Sequence, residues 1–285
     1  MRDNLKQEPR APLVRGTMQY DRDEVLSKVP EVTLGFWIIK ILCTTLGETG
    51  GDTVTMTWLH ADAHPHNGGY LIGTGIFLAL FIAAVVAQIY TEKFNAWIYW
   101  TAIVASTTVG TALADLFDRS FGIGYVGGSS ILLACVLASL TVWYFTLGSI
   151  NVQTVTTPKV EIFYWVTITF SQTLGTALGD WMADTTGLGY EGAALVFCAG
   201  LVALAALYYW TAISHALLFW AAFILTRPLG ATVGDFLDKP HAHGGLALSR
   251  PLASGAILIL IVLLIIILPQ KPGVHPGEAT TQLTN

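Results

Sequence analysis

The segment 36–52, FWIIKILCTTLGETGGD, returns three more times without a gap: YWTAIVASTTVGTALAD over 99–115, YWVTITFSQTLGTALGD over 164–180 and FWAAFILTRPLGATVGD over 219–235. Each copy opens on phenylalanine or tyrosine followed by tryptophan, meets a glycine after nine further residues, and ends on aspartate after four more. The glycines are Gly47, Gly110, Gly175 and Gly230; the aspartates are Asp52, Asp115, Asp180 and Asp235. A fixed pattern recurring four times is an internal repeat, and a repeat decides the architecture before any local signal does.

The sequence around the motif belongs in lipid. Hydrophobic residues make up 53% of the chain and charged ones 12%, against about 25% charged in a soluble domain. Apolar runs follow one another from Val32 to Leu268, each near the roughly 20 residues that a bilayer core requires. Polar, glycine-rich clusters divide them into expected helices near 32–56, 69–91, 95–117, 123–147, 160–183, 188–211, 214–237 and 251–268. Hydrocarbon leaves backbone groups no partner but the backbone, which favours helices, and the alternating ten-residue strands of a membrane barrel are missing from the sequence. With two helices per repeat, every repeat starts on the same side, so the repeats are parallel about an axis along the membrane normal. The expected fold is therefore an all-α membrane protein of eight transmembrane helices. It consists of four parallel two-helix repeats, about 30–91, 94–148, 159–212 and 214–269, in a pseudo-symmetric bundle with the motif helices central. Residues 1–28 and 270–285 are expected to be polar cytoplasmic tails, the first of them disordered.

Basic residues give the orientation. Six of the fourteen precede Val29, and Lys93, Lys159 and Lys271 fall on the same side as that tail. Arg119, Lys239 and Arg250 fall on the other side, and Lys40 and Arg227 lie inside helices. Both termini are thus expected in the cytoplasm. The clusters Trp97–Trp100, Trp143–Tyr144, Tyr208–Trp210 and Phe219–Trp220 then line up near the inner interface, as an aromatic belt would. The three cysteines, Cys43, Cys135 and Cys198, sit singly in apolar runs and suggest small buried residues rather than a disulfide framework.

Within the motif, the residue four after each glycine is also small: Gly51, Ala114, Gly179 and Gly234. Small residues at this spacing let helices approach closely in lipid. The aspartates have two readings. Ionisable groups in a membrane helix are costly and mark functional positions; near a helix end they are also simply solvated. Thr45, Thr108 and Thr173 lie seven residues before three of the aspartates, on the same helix face. They either extend a polar path or bond their own helix carbonyls. The symmetry breaks at Glu48 after the first glycine, at Arg227-Pro228 before the fourth, and at Lys40. Pro228 is expected to kink its helix. Glu48 and Arg227 lie about one turn apart in depth, so an intramembrane ion pair is expected between them. The outer loops add His60, His64, His66, His241 and His243, residue types that ligate metals or merely solvate a loop.

The stretch from Val29-Pro30-Glu31-Val32-Thr33 through Phe36-Trp37-Ile38-Ile39-Lys40 to Gly47-Glu48 resembles a bacterial family of uncharacterised, membrane-anchored multi-pass proteins. The resemblance spans the helical region. It implies a bacterial plasma-membrane location and the repeat structure, and supplies no activity and no site residues. From the residues themselves, the expected function is transport of a small cation, foremost a divalent metal. Asp52, Asp115, Asp180 and Asp235 would be the ligands, Glu48, Thr45, Thr108, Thr173 and Arg227 would line the pathway, and the histidines would be accessory. An ion channel and a non-transporting scaffold or partner subunit are the alternatives. No permanently bound cofactor is expected, and the transported metal ion would be substrate. An enzyme is not expected, since HExxH, GxSxG and P-loop motifs are missing from the sequence, nor is a nucleic-acid partner, since no basic stripe exists. The partners are the lipid bilayer and the ion, and the oligomeric state is left open.

Overall fold

Thr33 closes the polar stretch ahead of the first motif, and its side chain accepts the Phe36 N–H at 3.3 Å. That cap starts α1 (Leu34–Asp52). Asn95 does the same for α3 (Ala96–Asp115), accepting from Trp97 and Ile98 N–H at 3.0 and 3.2 Å. Pro158 opens α5 (Pro158–Thr185) at a position where its missing N–H costs nothing. The remaining helices are α2 (Gly69–Tyr90), α4 (Tyr125–Leu147), α6 (Gly189–Trp210), α7 (His215–Asp238) and α8 (Arg250–Ile267). The computed structural model describes residues 26–61, 63 and 68–274, and among these it is built on eight α-helices near the expected positions. After the motif aspartates, α1 and α3 widen into π-helical turns, Thr53–Trp58 and Leu116–Ser120. The helix α7 continues across Pro228.

The four motif helices form a closed ring in the order α1–α3–α5–α7, with α7 returning to α1. A four-step glycine code makes the ring. A Cβ on Gly47 would stand 2.9 Å from the Thr107 carbonyl carbon; one on Gly110, 2.9 Å from that of Gln172; one on Gly175, 3.0 Å from Pro228 Cδ; one on Gly230, 2.8 Å from the Thr44 carbonyl carbon. Thr107, Gln172, Arg227 and Thr44 each lie three residues before the next helix's own glycine. Every helix thus offers a glycine to the following helix and a side chain to the preceding one. The small residue one turn on repeats the device: Gly51 meets Thr111, Gly179 meets Ala231 and Gly234 meets Glu48.

The even helices pack outside the ring, each chiefly against the odd helix of the next repeat. Thus α2 lies on α3, α4 on α5, α6 on α7, and α8 closes the circle on α1. At the seams, Thr74 donates to the Ala112 carbonyl at 3.0 Å and Ser254 to Thr49 Oγ1 at 3.0 Å. The two layers differ in character as lipid requires. Only 11% of the apolar span of α4 and of α6 is buried, against 72% for α3 and 61% for α7.

Six helices, α2, α3, α4, α6, α7 and α8, are long and apolar enough to cross a membrane. The other two, α1 and α5, fall short of the eight expected because polar residues dilute their apolar stretches, Lys40, Thr44, Thr45 and Glu48 in α1 and Thr167, Ser171, Gln172, Thr173 and Thr176 in α5. Both take their places in the ring beside α3 and α7, where those side chains are largely buried.

Two expectations are corrected. The aromatic pairs of the motif are not part of the belt. Trp100, Trp165 and Trp220 are buried, and each ring packs on the preceding helix's aromatic: Phe36–Trp100 at 5.5 Å, Tyr99–Trp165 at 6.2 Å, Tyr164–Trp220 at 6.1 Å and Phe219–Trp37 at 5.6 Å between centroids. They form a floor across the ring, joined further by a 2.7 Å hydrogen bond between the Tyr99 and Tyr164 hydroxyls. Trp97, Tyr144, Tyr208, Tyr209 and Trp210 are exposed, as a belt requires. The second correction concerns the tails. Residues 1–25 and 275–285 lie outside the described residues, but the adjoining segments form strands, β1 (Leu26–Pro30) antiparallel to β2 (Pro272–Val274). Burial holds them there. Lys28 Nζ meets Glu161 Oε1 at 2.6 Å and the Ile89 carbonyl at 3.0 Å, and Ser27 Oγ donates to the Val152 carbonyl at 3.0 Å. The two ends of the described chain are therefore clasped together at one end of the bundle.

Candidate functional site

Above the aromatic floor, the centre of the ring is polar. Arg227 enters it from α7, its aliphatic stem laid on Gly175 of α5. Its Nη2 lies 2.9 Å from Glu48 Oε2 on α1 and donates at 2.6 Å to Thr111 Oγ1 on α3 and also to Thr176 Oγ1 on α5. One guanidinium nitrogen therefore bonds side chains from all three other ring helices and stands across the axis. Thr111 Oγ1 also donates to Glu48 Oε2 at 3.3 Å. Arg227 and Glu48 are both buried, and the expected intramembrane pair is present.

One turn further along lie the aspartates. All four are buried: Asp52, Asp115, Asp180 and Asp235. Two of them converge with Glu48. One oxygen from each of Glu48, Asp52 and Asp235 lies within 4.8 Å of the others. Among the described residues no other group of three metal-ligating side chains comes as close. Asp115 and Asp180 stand on α3 and α5 outside this group. Lys239, just beyond α7, holds the trio's upper side, with Nζ 2.8 Å from Asp52 Oδ2 and 3.0 Å from Asp235 Oδ1. Asp52 Oδ1 is buried without a hydrogen-bond partner. Further out, Arg250 Nε lies 3.6 Å from Asp238 Oδ2.

The remaining sequence candidates are placed as follows. Thr45, Thr108 and Thr173 are buried, and each donates to the carbonyl four residues earlier: Ile41 at 3.1 Å, Val104 at 2.9 Å and Thr169 at 3.0 Å. Their hydroxyls serve their own helices. His60 and His241 are exposed and do not join the carboxylate group; His241 Nδ1 pairs with the Gly245 carbonyl at 2.9 Å. His64, His66 and the His243 side chain lie outside the described residues.

Lys239 is the site residue that the sequence reading passes over, counting it only as an outer-loop charge. The signal was there: it follows Asp235 by four residues, the spacing at which helical side chains meet. Three carboxylates from α1 and α7, with Arg227 of α7 and Lys239 just beyond it, make a small buried ionic cluster. Oxygen ligands on opposite sides of a hard divalent cation stand up to about 5 Å apart, and the trio's oxygens fit that separation.

Ring, outer wall and buried ionic centre define a multi-pass helical membrane protein built from four tandem repeats. The chain belongs to the family described as Repeat of Unknown Function (DUF347), whose model matches residues 35–94, 98–149, 163–214 and 218–269. Neither a curated protein nor a solved structure matches it.

Proposed function

We propose that the protein is a membrane carrier for a small cation, foremost a divalent metal ion, and that Glu48, Asp52 and Asp235 bind it. The reading rests on one observation: three buried carboxylates on two adjacent helices, each with an oxygen within 4.8 Å of the others. Clustered carboxylates repel one another unless a cation lies between them. Lys239 fills that role in this conformation. The incoming ion takes Asp52 and Asp235 from Lys239, and the partnerless Asp52 Oδ1 is the acceptor first open to it. Protons compete for the same oxygens, which gives a route to coupling. Arg227 across the axis and the aromatic floor below it favour a carrier over an open channel, since a permanent pore needs a continuous polar path. The lysine already seated on two of the ligands favours the scaffold as the second reading.

Asp52→Asn and Asp235→Asn remove ligand charge while keeping shape. Each is expected to lower metal uptake into proteoliposomes about tenfold, as loss of roughly 1.4 kcal/mol of binding implies, with the protein still folded. Asp115→Asn and Asp180→Asn, outside the trio, are expected to have smaller effects. If Asp52→Asn and Asp235→Asn both transport like the parent, the trio is not the binding site; if the parent itself moves no metal, the scaffold reading stands in place of the carrier.

All eight helices cross the bilayer in this proposal, α1 and α5 shielded by their neighbours, and both chain ends face the cytoplasm. Reporter fusions at residues 5 and 280 are expected to give the cytoplasmic signal. Opposite signals from the two would require an odd number of crossings.

A further inference from the structure

Below the carboxylate trio, and joined to it through Glu48, the core of the bundle carries further buried positive charge. In the four motif copies, no acidic residue occurs between the aromatic pair and the glycine, yet that stretch holds two basic residues, Lys40 and Arg227. Both are 0% exposed. Lys40 Nζ lies 4.1 Å from the centre of the Phe223 ring and has no hydrogen-bond acceptor. Phe223 is one turn before Arg227 on the same face of α7, about 6 Å along the helix axis, so Lys40 is seated about one turn below the Arg227 backbone. Arg227 spends its Nη2 on Glu48, Thr111 and Thr176, while Nε and Nη1 have no acceptor. Gln172, on α5 at the repeat position of Arg227, is also 0% exposed, and neither its amide nitrogen nor its amide oxygen has a hydrogen-bond partner. Three helices thus carry unmatched donors, two of them cationic, on a stretch of the ring that contributes no carboxylate of its own. Buried charge in a membrane interior must be paired, and Glu48, already bonded by Arg227 on the upper side, cannot balance both.

We infer that the ring holds a small monovalent inorganic anion, of the size and hardness of chloride, between Lys40 and Arg227, with the Gln172 amide N–H as a neutral donor. The ring of Phe223 shields Lys40 below, and the Thr111–Glu48–Arg227 network closes the level above. The inference is independent of cation transport by the trio.

The test uses the purified full chain in detergent with a chelator present, so that metal binding plays no part. Melting is followed by intrinsic tryptophan fluorescence in sodium chloride and in sodium gluconate of equal ionic strength. Chloride is expected to raise Tm saturably, by about 5 °C at a hundredfold excess over Kd, and bromide to act alike. Lys40→Met is expected to abolish the difference between the salts and Lys40→Arg to retain it. Equal Tm in the two salts, or a linear rise common to both, overturns the inference, and so does a chloride shift that survives in Lys40→Met. The comparison of salts on the parent protein decides the matter even if Lys40→Met does not fold.

Discussion

Arg227→Gln is expected to destabilise the protein by about 3 kcal/mol or more, the cost of breaking one side of a buried ion pair. The guanidinium joins α7 to each of the other three ring helices through Glu48, Thr111 and Thr176. Glutamine is too short to span the axis, so Glu48 is left as an uncompensated buried carboxylate and two hydroxyls lose their donor. Glu48→Gln leaves Arg227 in the mirror-image position and is expected to cost a similar amount. In Glu48→Gln/Arg227→Gln neither charge remains, so the double variant is expected to be more stable than the sum of the single losses predicts, by at least about 1 kcal/mol. Unfolding curves in mixed micelles would give all three values. Simple additivity would mean that the two charges are not coupled.

Gly110→Leu is expected to leave no folded protein. A Cβ at this position would lie 2.7 Å from Gln172 Cβ and 2.9 Å from its carbonyl carbon. Overpacking usually costs about 1–3 kcal/mol where neighbours can shift. Here the neighbour is backbone, and α3 cannot withdraw from α5 without also leaving α1, because the ring is locked on both sides of every helix. The loss is therefore expected to exceed that range, with the detergent-extracted protein running as aggregate in size exclusion. Gly75→Leu is the control. It sits exposed on α2, and a Cβ there meets nothing within 4 Å, so its effect is expected to stay within about 1 kcal/mol. A folded Gly110→Leu variant with near-parental stability would contradict the ring packing.

What could be read ahead of the structure was whatever the repeat encodes. A glycine that recurs at one register on four helices has to face something that also recurs, and Gly47, Gly110, Gly175 and Gly230 each meet the same position of the following helix. The Glu48–Arg227 pair was legible because two opposite charges about one turn apart in depth on equivalent apolar helices have few other partners. The motif tryptophans were not, since an aromatic at a helix end serves equally in a belt or in a core, and only the neighbour decides. Lys239 was missed because a loop residue's partner depends on how the chain leaves the helix. The strands Leu26–Pro30 and Pro272–Val274 lie at opposite ends of the sequence, so nothing local to either announces the other. Asp115 and Asp180 show the limit of symmetry itself. They share the register of Asp52 and Asp235, but the group forms on α1 and α7, where Glu48 and Lys239 depart from the pattern.

Because each even helix packs on the repeat that follows it, no repeat is finished when its own two helices have been made. A nascent α2 has its docking surface only once α3 arrives, and the same wait recurs for α4 and α6. The helix α1 waits longest: both α7 and α8, which flank it, are made after the other six. Lys40, Glu48 and Asp52 on α1 therefore face the interval of synthesis without Arg227 and Lys239, their final company in the ring. Closure joins residues some two hundred positions apart and must come late, as contacts distant in sequence do. Ring closure thus returns to α1, the first of the motif helices, which gains its remaining neighbours only when the fourth repeat has been made.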